Sequence, residues 1–181
     1  TETVLLVFGG SRGARSINQA LMPHVAELTD LCHILHISGT LDWPDIETAR
    51  NRLPEHIKAR YQAYAYLHEE MGAAMAAADL VICRAGASVL GEFPYFGLPS
   101  ILVPYPHAWR YQRVNAAWLE ERGAAIVIED ADLARDIAPT ARGLLAKPER
   151  RTAMSVAARE LARPDAAQKL AELLQGLGQG G

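Results

Sequence analysis

Cysteine is scarce: the 181 residues hold only Cys32 and Cys83, too few for the disulfide framework of a small secreted scaffold. Both fall in or beside apolar, strand-like runs, which predicts buried free thiols in a reducing compartment rather than a bridge. No apolar run approaches the roughly 20 residues that cross a bilayer. No basic, apolar leader precedes the first strand at Val4. Charge of neither sign dominates. The formal net charge of −3 gives no electrostatic footing for nucleic acid. No internal repeat is evident, which argues against a solenoid. The chain starts with Thr rather than Met, which predicts an excised domain or a processed product of a longer protein. Half the residues are hydrophobic and 22% are charged, a folded and not a disordered composition. The length suits one α/β domain and is short for two.

What is present is a regular alternation. Val4–Phe8 is a continuous apolar run, as expected of a strand buried on both faces. A helix is predicted from about Ala14 to Leu28, with Ile17, Leu21, Val25 and Leu28 at helical spacing. Strands follow at His33–Ile37 and Arg60–Ala65, with a weak helix at Pro44–Arg52 between them. Then come helix Glu69–Ala78, strand Leu80–Cys83, helix 87–96, strand Ser100–Val103, helix 109–122 and strand Ala125–Ile128. Helices at Asp132–Leu145, Glu149–Leu161 and from Pro164 to about Leu174 close the chain. Residues 1–175 read as a single domain, with 176–181 as a flexible tail. Strands alternating with helices at this spacing predict a six-stranded parallel sheet, helices on both faces, in the Rossmann-like order 3-2-1-4-5-6. Strands 1 and 4 then flank the switch point.

Two glycine loops fall at that point. Gly9-Gly10-Ser11-Arg12-Gly13-Ala14 leaves the first strand and opens a helix, so its amides can face an anion. Ser11 adds a hydroxyl donor or an N-cap. The loop is neither G-x-G-x-x-G nor a P-loop, and it also reads as a plain strand-to-helix turn. Arg84-Ala85-Gly86-Ala87-Ser88 has the same position after the fourth strand. Arg84 suits pairing with a carboxylate or holding an adjacent loop. Glu92, about one turn into the next helix, suits the vicinal hydroxyls of a ribose or simply complements the helix dipole. The stiff loop Pro104–Gln112 is crowded with donors. His107 suits a phosphate or a sugar, the amides of Gln112 and Asn115 suit sugar hydroxyls, and Trp109 and Tyr111 suit stacking or packing. No carboxylate pair stands at Mg²⁺-binding spacing, which predicts no metal and no cofactor in this domain.

The combination Gly9-Gly10-Ser11-x-Gly13-Ala14-x-x-x-Asn18, Met71, Ala78-Asp79-Leu80-Val81, Arg84-x-Gly86-Ala87, Glu92, Gly97-Leu98-Pro99, Pro104, Gln112 and Asn115-Ala116 resembles the C-terminal domain of the MurG family over about residues 4–130. Those enzymes transfer N-acetylglucosamine from UDP-N-acetylglucosamine to a lipid-linked muramyl-pentapeptide, making a peptidoglycan precursor. The resemblance implies the C-terminal half of a GT-B glycosyltransferase, holding the donor. It implies a UDP-sugar site with phosphate contacts at Gly10, Ser11, Gly13, Gly86, Ala87 and Ser88, Arg84 among its residues, and a uracil border at Leu67, His68 and Met71. It also implies ribose contacts at Glu92 and a sugar contact at Gln112, with His107 in the same site. His68 stands where the family commonly has an aliphatic residue, and Trp109 and Tyr111 also depart from its pattern. The acceptor domain, with its membrane patch and general base, precedes this region in the family. The resemblance therefore implies a chain that binds donor without catalysing, inside a cytoplasmic enzyme peripheral on the inner face of the plasma membrane. The alternatives are the donor half of a glycolipid glycosyltransferase or UDP-sugar epimerase, or a nucleotide-sugar-binding module with no activity.

Overall fold

The computed structural model describes residues 2–10, 13–108 and 110–178, with side chains to residue 175. Six strands, β1 (Val4–Phe8), β2 (His33–Ile37), β3 (Tyr61–Tyr64), β4 (Leu80–Cys83), β5 (Ser100–Leu102) and β6 (Ala125–Val127), form one parallel sheet. Its order is β3-β2-β1-β4-β5-β6, as the alternation predicts. β1 lies between β2 and β4, with Leu6 opposite Leu35 on one side and Val81 on the other.

The continuous apolar runs are explained by burial on both faces. Leu5, Val7, Ile34, Leu80, Ile82, Ile101 and Val103 point to one core. Leu6, Ile37, Val81, Cys83 and Leu102 point to the other. Successive strand side chains alternate between faces, so both sets must be apolar. The first face is covered by α1 (Arg15–Leu21), α2 (Val25–Thr29) and α8 (Leu133–Leu145). The second is covered by α5 (Met71–Ala77), α6 (Val89–Phe96) and α7 (Tyr111–Glu120). α9 (Pro148–Glu160) reaches both, with Met154 in the first core and Ala158 in the second. The helices after residue 131 thus pack on this domain as far as α9. α10 (Ala166–Gly178) follows, with Leu170, Leu173 and Leu174 exposed.

The elements differ from expectation mainly at their ends. The single helix expected over Ala14–Leu28 is broken into α1, a 3₁₀ turn at Met22–His24, and α2. Pro23 lacks the N–H that a continuous α-helix would need. α3 (Trp43–Asn51) is followed by a short α4 (Glu55–Lys58), unforeseen because one helical turn carries no periodicity. The last helix runs past Leu174 to Gly178.

α6 ends at Gly97, whose φ of +64° is left-handed. The Leu98 N–H donates to the Phe93 carbonyl (2.9 Å) and the Gly97 N–H to the Pro94 carbonyl (3.1 Å), a Schellman ending that satisfies two terminal carbonyls. It turns the chain directly into β5. α9 closes over the turn: the Ser155 hydroxyl donates to the Gly97 carbonyl at 2.7 Å. A Cβ on Gly97 would stand 2.3 Å from Arg159 Nε. We expect Gly97→Ala to destabilise the domain by about 1–3 kcal/mol. Gly91→Ala, inside α6 where a Cβ meets nothing within 4 Å, should be neutral or stabilise by up to about 1 kcal/mol. Urea denaturation of both variants checks this. Equal stabilities would refute the strained-turn account.

Candidate functional site

A cleft of about 1060 Å³ opens at the C-terminal ends of β1, β4 and β5. Its wall carries Phe8 from β1, and Gly10, Gly13 and Ala14 from the first glycine loop. Gly86 and Ser88 come from the second, Val89 from the start of α6, Tyr105, Pro106 and His107 from the loop after β5, and Gln112 from the first turn of α7. The crossovers leave β1 and β4 on opposite faces, so their loops diverge and leave this crevice between them. Of the residues expected at a ligand, Gly10, Gly13, Arg84, Gly86, Ser88, His107 and Gln112 all reach the wall. Ser11 and Trp109 lie outside the described residues.

Local structure explains the glycine loop. Gly10 and Gly13 have φ of +89° and +82°, and the Gly13 N–H donates to the Gly10 carbonyl at 2.9 Å. A Cβ at Gly13 would lie 2.2 Å from the Ser38 carbonyl oxygen. Gly13 is therefore required both for its conformation and for the close passage of the segment after β2. α1 begins with Ala14 at its N-cap and no side-chain cap.

Arg84 takes both roles the sequence left open, and takes them structurally. Its Nη1 donates to Asp130 Oδ1 at 2.5 Å and to the Val103 carbonyl at 3.2 Å. Its Nη2 donates to the Ser16 hydroxyl at 2.7 Å, and Ser16 in turn donates to Asp130. The side chain is only 11% exposed, and Asp130 is 22% exposed. The guanidinium also lies over the Tyr105 ring, 5.2 Å from its centroid. One cation thus ties together the ends of β4 and β5, the first turn of α1 and the turn after β6. Through these bonds Arg84 shapes the wall. Asn115 is likewise a support, its amide donating to the Ala85 carbonyl at 3.1 Å. Gln112 Oε1 accepts from the Tyr105 N–H at 2.8 Å, leaving its NH₂ as the group to offer a ligand. The His107 ring packs edge-on against Tyr105, centroids 5.5 Å apart.

The remaining expected residues stand apart from this wall. Ala87 is exposed beside Ser88. Leu67 and Met71 are half-buried against the second core. His68 is exposed, its ring edge-on to Tyr66. Glu92 sits in the first turn of α6, half-buried. Its carboxylate accepts no side-chain or backbone hydrogen bond among the described residues, and its charge adds to burial in raising the Cys83 thiol pKa. Both thiols are free and buried, and burial pushes Cys32 up to about 11.

Behind the wall lies a polar chain that the sequence did not announce. The Asn18 amide donates to Asp42 Oδ2 (2.8 Å) and to the Ser38 carbonyl (2.9 Å). Its Oδ1 therefore accepts, and His36 Nε2–H donates to it at 2.9 Å. With that proton placed, the neutral ring accepts at Nδ1 from the Tyr61 hydroxyl, 2.8 Å away. Asp42 Oδ1 receives Arg15 Nε at 2.9 Å. Burial lowers the His36 pKa to about 4, against a smaller opposing effect of Asp42. The available signal was His36 itself, a polar residue at an inward strand position, which demands a buried partner.

A glycine-lined crevice at the point of strand reversal defines a doubly wound α/β domain. A family model described as "Glycosyltransferase family 28 C-terminal domain" matches residues 4–170, and the chain belongs to that family. It is 45% identical to the UDP-N-acetylglucosamine–N-acetylmuramyl-(pentapeptide) pyrophosphoryl-undecaprenol N-acetylglucosamine transferase of Roseiflexus sp. (strain RS-1), over 96% of this chain and 44% of that protein. Against the equivalent protein of Mycolicibacterium paratuberculosis it is 40% identical, over 97% of this chain and 42% of that one. The crystal structure of Acinetobacter baumannii MurG superposes with a TM-score of 0.79 at 29% identity, covering 97% of this chain and 52% of that chain. The chain thus spans about half the length of the relatives it matches. The fold is that of the C-terminal half of a GT-B glycosyltransferase. Among the described residues, no helix is long and apolar enough to cross a membrane.

The polar chain makes stability depend on pH. The His36 pKa falls from an ordinary 6.5 to about 4 on folding, so between those values the unfolded state binds the extra proton. Its contribution is complete above about pH 6.5 and is lost as pH falls toward 4, to a full extent of about 3 kcal/mol. Unfolding free energies of the native protein and His36→Gln, measured by urea titration from pH 7.5 to 4.5, should show a steeper decline in the native protein. Parallel curves would refute it.

Proposed function

We propose that this chain is the donor-binding half of an inverting N-acetylglucosaminyltransferase, taking its sugar from UDP-N-acetylglucosamine and passing it to a lipid-linked peptidoglycan precursor. One observation carries the reading: two glycine-bearing strand ends share one cleft at the strand reversal, in a chain whose family match spans residues 4–170. In the reaction, the acceptor hydroxyl attacks the anomeric carbon from the face opposite the diphosphate. The C–O bond to UDP breaks, configuration inverts, and negative charge grows on the departing diphosphate. The backbone N–H groups of Gly10, Gly86, Ala87 and Ser88, together with Ser11, stabilise that charge, and Gly13 gives the loop its turn. Glu92, with no other partner among the described residues, accepts from the ribose hydroxyls. Leu67, His68 and Met71 border the uracil. The Gln112 NH₂ and His107 face the sugar. The lipid-linked acceptor, the general base and the membrane contact at the cytoplasmic face belong to the other half of the enzyme.

The isolated chain should bind UDP and UDP-N-acetylglucosamine, the latter in preference to UDP-glucose, and show no transfer to a lipid acceptor. Glu92→Ala should weaken UDP by about 1.5–3 kcal/mol, roughly 10- to 150-fold. Calorimetry on the folded variant reads this directly, and unchanged UDP affinity would remove Glu92 from the ribose.

A further inference from the structure

Among the described residues the cleft wall holds two arginines, Arg15 and Arg84, and only Arg84 has both Nη atoms bound by protein. Arg84 is neutralised by Asp130 and bound by Ser16 and the Val103 carbonyl. Arg15, the first residue of α1, is held through Nε alone, by Asp42 at 2.9 Å. Among the described residues its Nη1 and Nη2 have no partner, and the side chain is 66% exposed. An arginine held at Nε keeps its end-on pair of parallel N–H donors free. That fork matches two oxygens of a phosphate.

The holder is built with more care than a surface ion pair requires. Asp42 is 8% exposed on its side chain. Its second oxygen takes the Asn18 amide, Asn18 takes His36, and His36 takes Tyr61. The carboxylate is thus fixed from beneath by a chain reaching into the core. The same Asn18 amide holds the Ser38 carbonyl against which Gly13 passes, so loop and arginine are located by one set of bonds. Exposed ion pairs usually contribute little, because two long side chains must be ordered to form them. Here one partner is already ordered. A guanidinium aimed before the ligand arrives loses less entropy when it binds.

We infer that Arg15 is a diphosphate ligand of the cleft, and that Asp42, backed by Asn18 and His36, is its positioning residue. This rests on the nucleotide-sugar reading above. The cation faces a nucleoside diphosphate alongside the backbone amides of Gly10 and Gly86–Ser88. Amides recognise phosphate oxygens without adding net charge, and Arg15 supplies the charge that grows complementary to the departing diphosphate.

The test uses this chain with UDP and uridine as probes, by calorimetry. Arg15→Gln alters an exposed side chain and should leave the fold intact. It should weaken UDP at least tenfold and leave uridine, which has no phosphate, unchanged. Arg15→Lys should recover little of the loss, because an ammonium cannot keep the Nε contact and offer the fork. Asp42→Ala separates aim from charge. If Asp42 were merely a nearby anion, removing it would tighten UDP. As a positioning residue, its loss should weaken UDP, and the double variant should be no weaker than Arg15→Gln alone. Native protein that binds UDP, with Arg15→Gln binding it equally well or losing UDP and uridine alike, overturns the inference and leaves the nucleotide-sugar reading standing. Native protein that binds neither UDP nor UDP-N-acetylglucosamine overturns that reading, and the inference with it.

Discussion

The cleft exists because a parallel sheet cannot cover both its faces without reversing strand order somewhere. Crossovers from β1 run outward to β2 and β3 over one face, and those from β4 run to β5 and β6 over the other. At the β1–β4 boundary the two sets separate. A gap opens there whatever the side chains are. The sequence has only to line it with residues whose backbone can come close to a ligand. Glycine at positions 10, 13 and 86 does that.

The gap brings a difficulty. Loops at strand ends expose carbonyls and leave polar side chains half in and half out of the core. Two networks resolve it, one on each side of the cleft. Arg84 gathers the Val103 carbonyl, Ser16 and Asp130. Asn18 gathers the Ser38 carbonyl, Asp42 and His36. Each is anchored on one turn of α1, through Ser16 and Asn18, which stand two residues apart. That helix is therefore the common support of both walls, although it has only seven residues. Its own stability comes from Ile17 and Leu21 in the first core, and not from its length.

Much of this was legible from the chain. Strands buried on both faces are continuous apolar runs, so Val4–Phe8 and Leu80–Cys83 could be placed to the residue, and strand order followed from alternation. The turn at Gly97-Leu98-Pro99 rests on local chemistry, a left-handed glycine with a proline two residues on. What escaped notice was what depends on distance. Arg84 meets Asp130 across 46 residues and Asn18 meets Asp42 across 24, and no periodicity links them. The sequence offered Arg84 a carboxylate or an adjacent loop, and only the fold names them as Asp130 and the Val103 carbonyl. The break at Pro23 was underweighted because Ile17, Leu21, Val25 and Leu28 keep helical spacing through it: a 3₁₀ turn shifts the phase too little to disturb the pattern.

The two ends of the cleft are made of different material. Around the glycine loops the lining is largely main chain, held in its course by the glycines themselves. Around the loop after β5 it is side chain: Tyr105, His107 and Gln112, on a segment secured by the Gln112–Tyr105 bond and the contact of Arg84 with the Tyr105 ring. A lineage could therefore exchange that segment as a cassette and alter what it touches while the strand-reversal crevice stayed as it was. Change in what the cleft touches is then confined to one replaceable stretch, while the crevice itself is set by the course of the backbone.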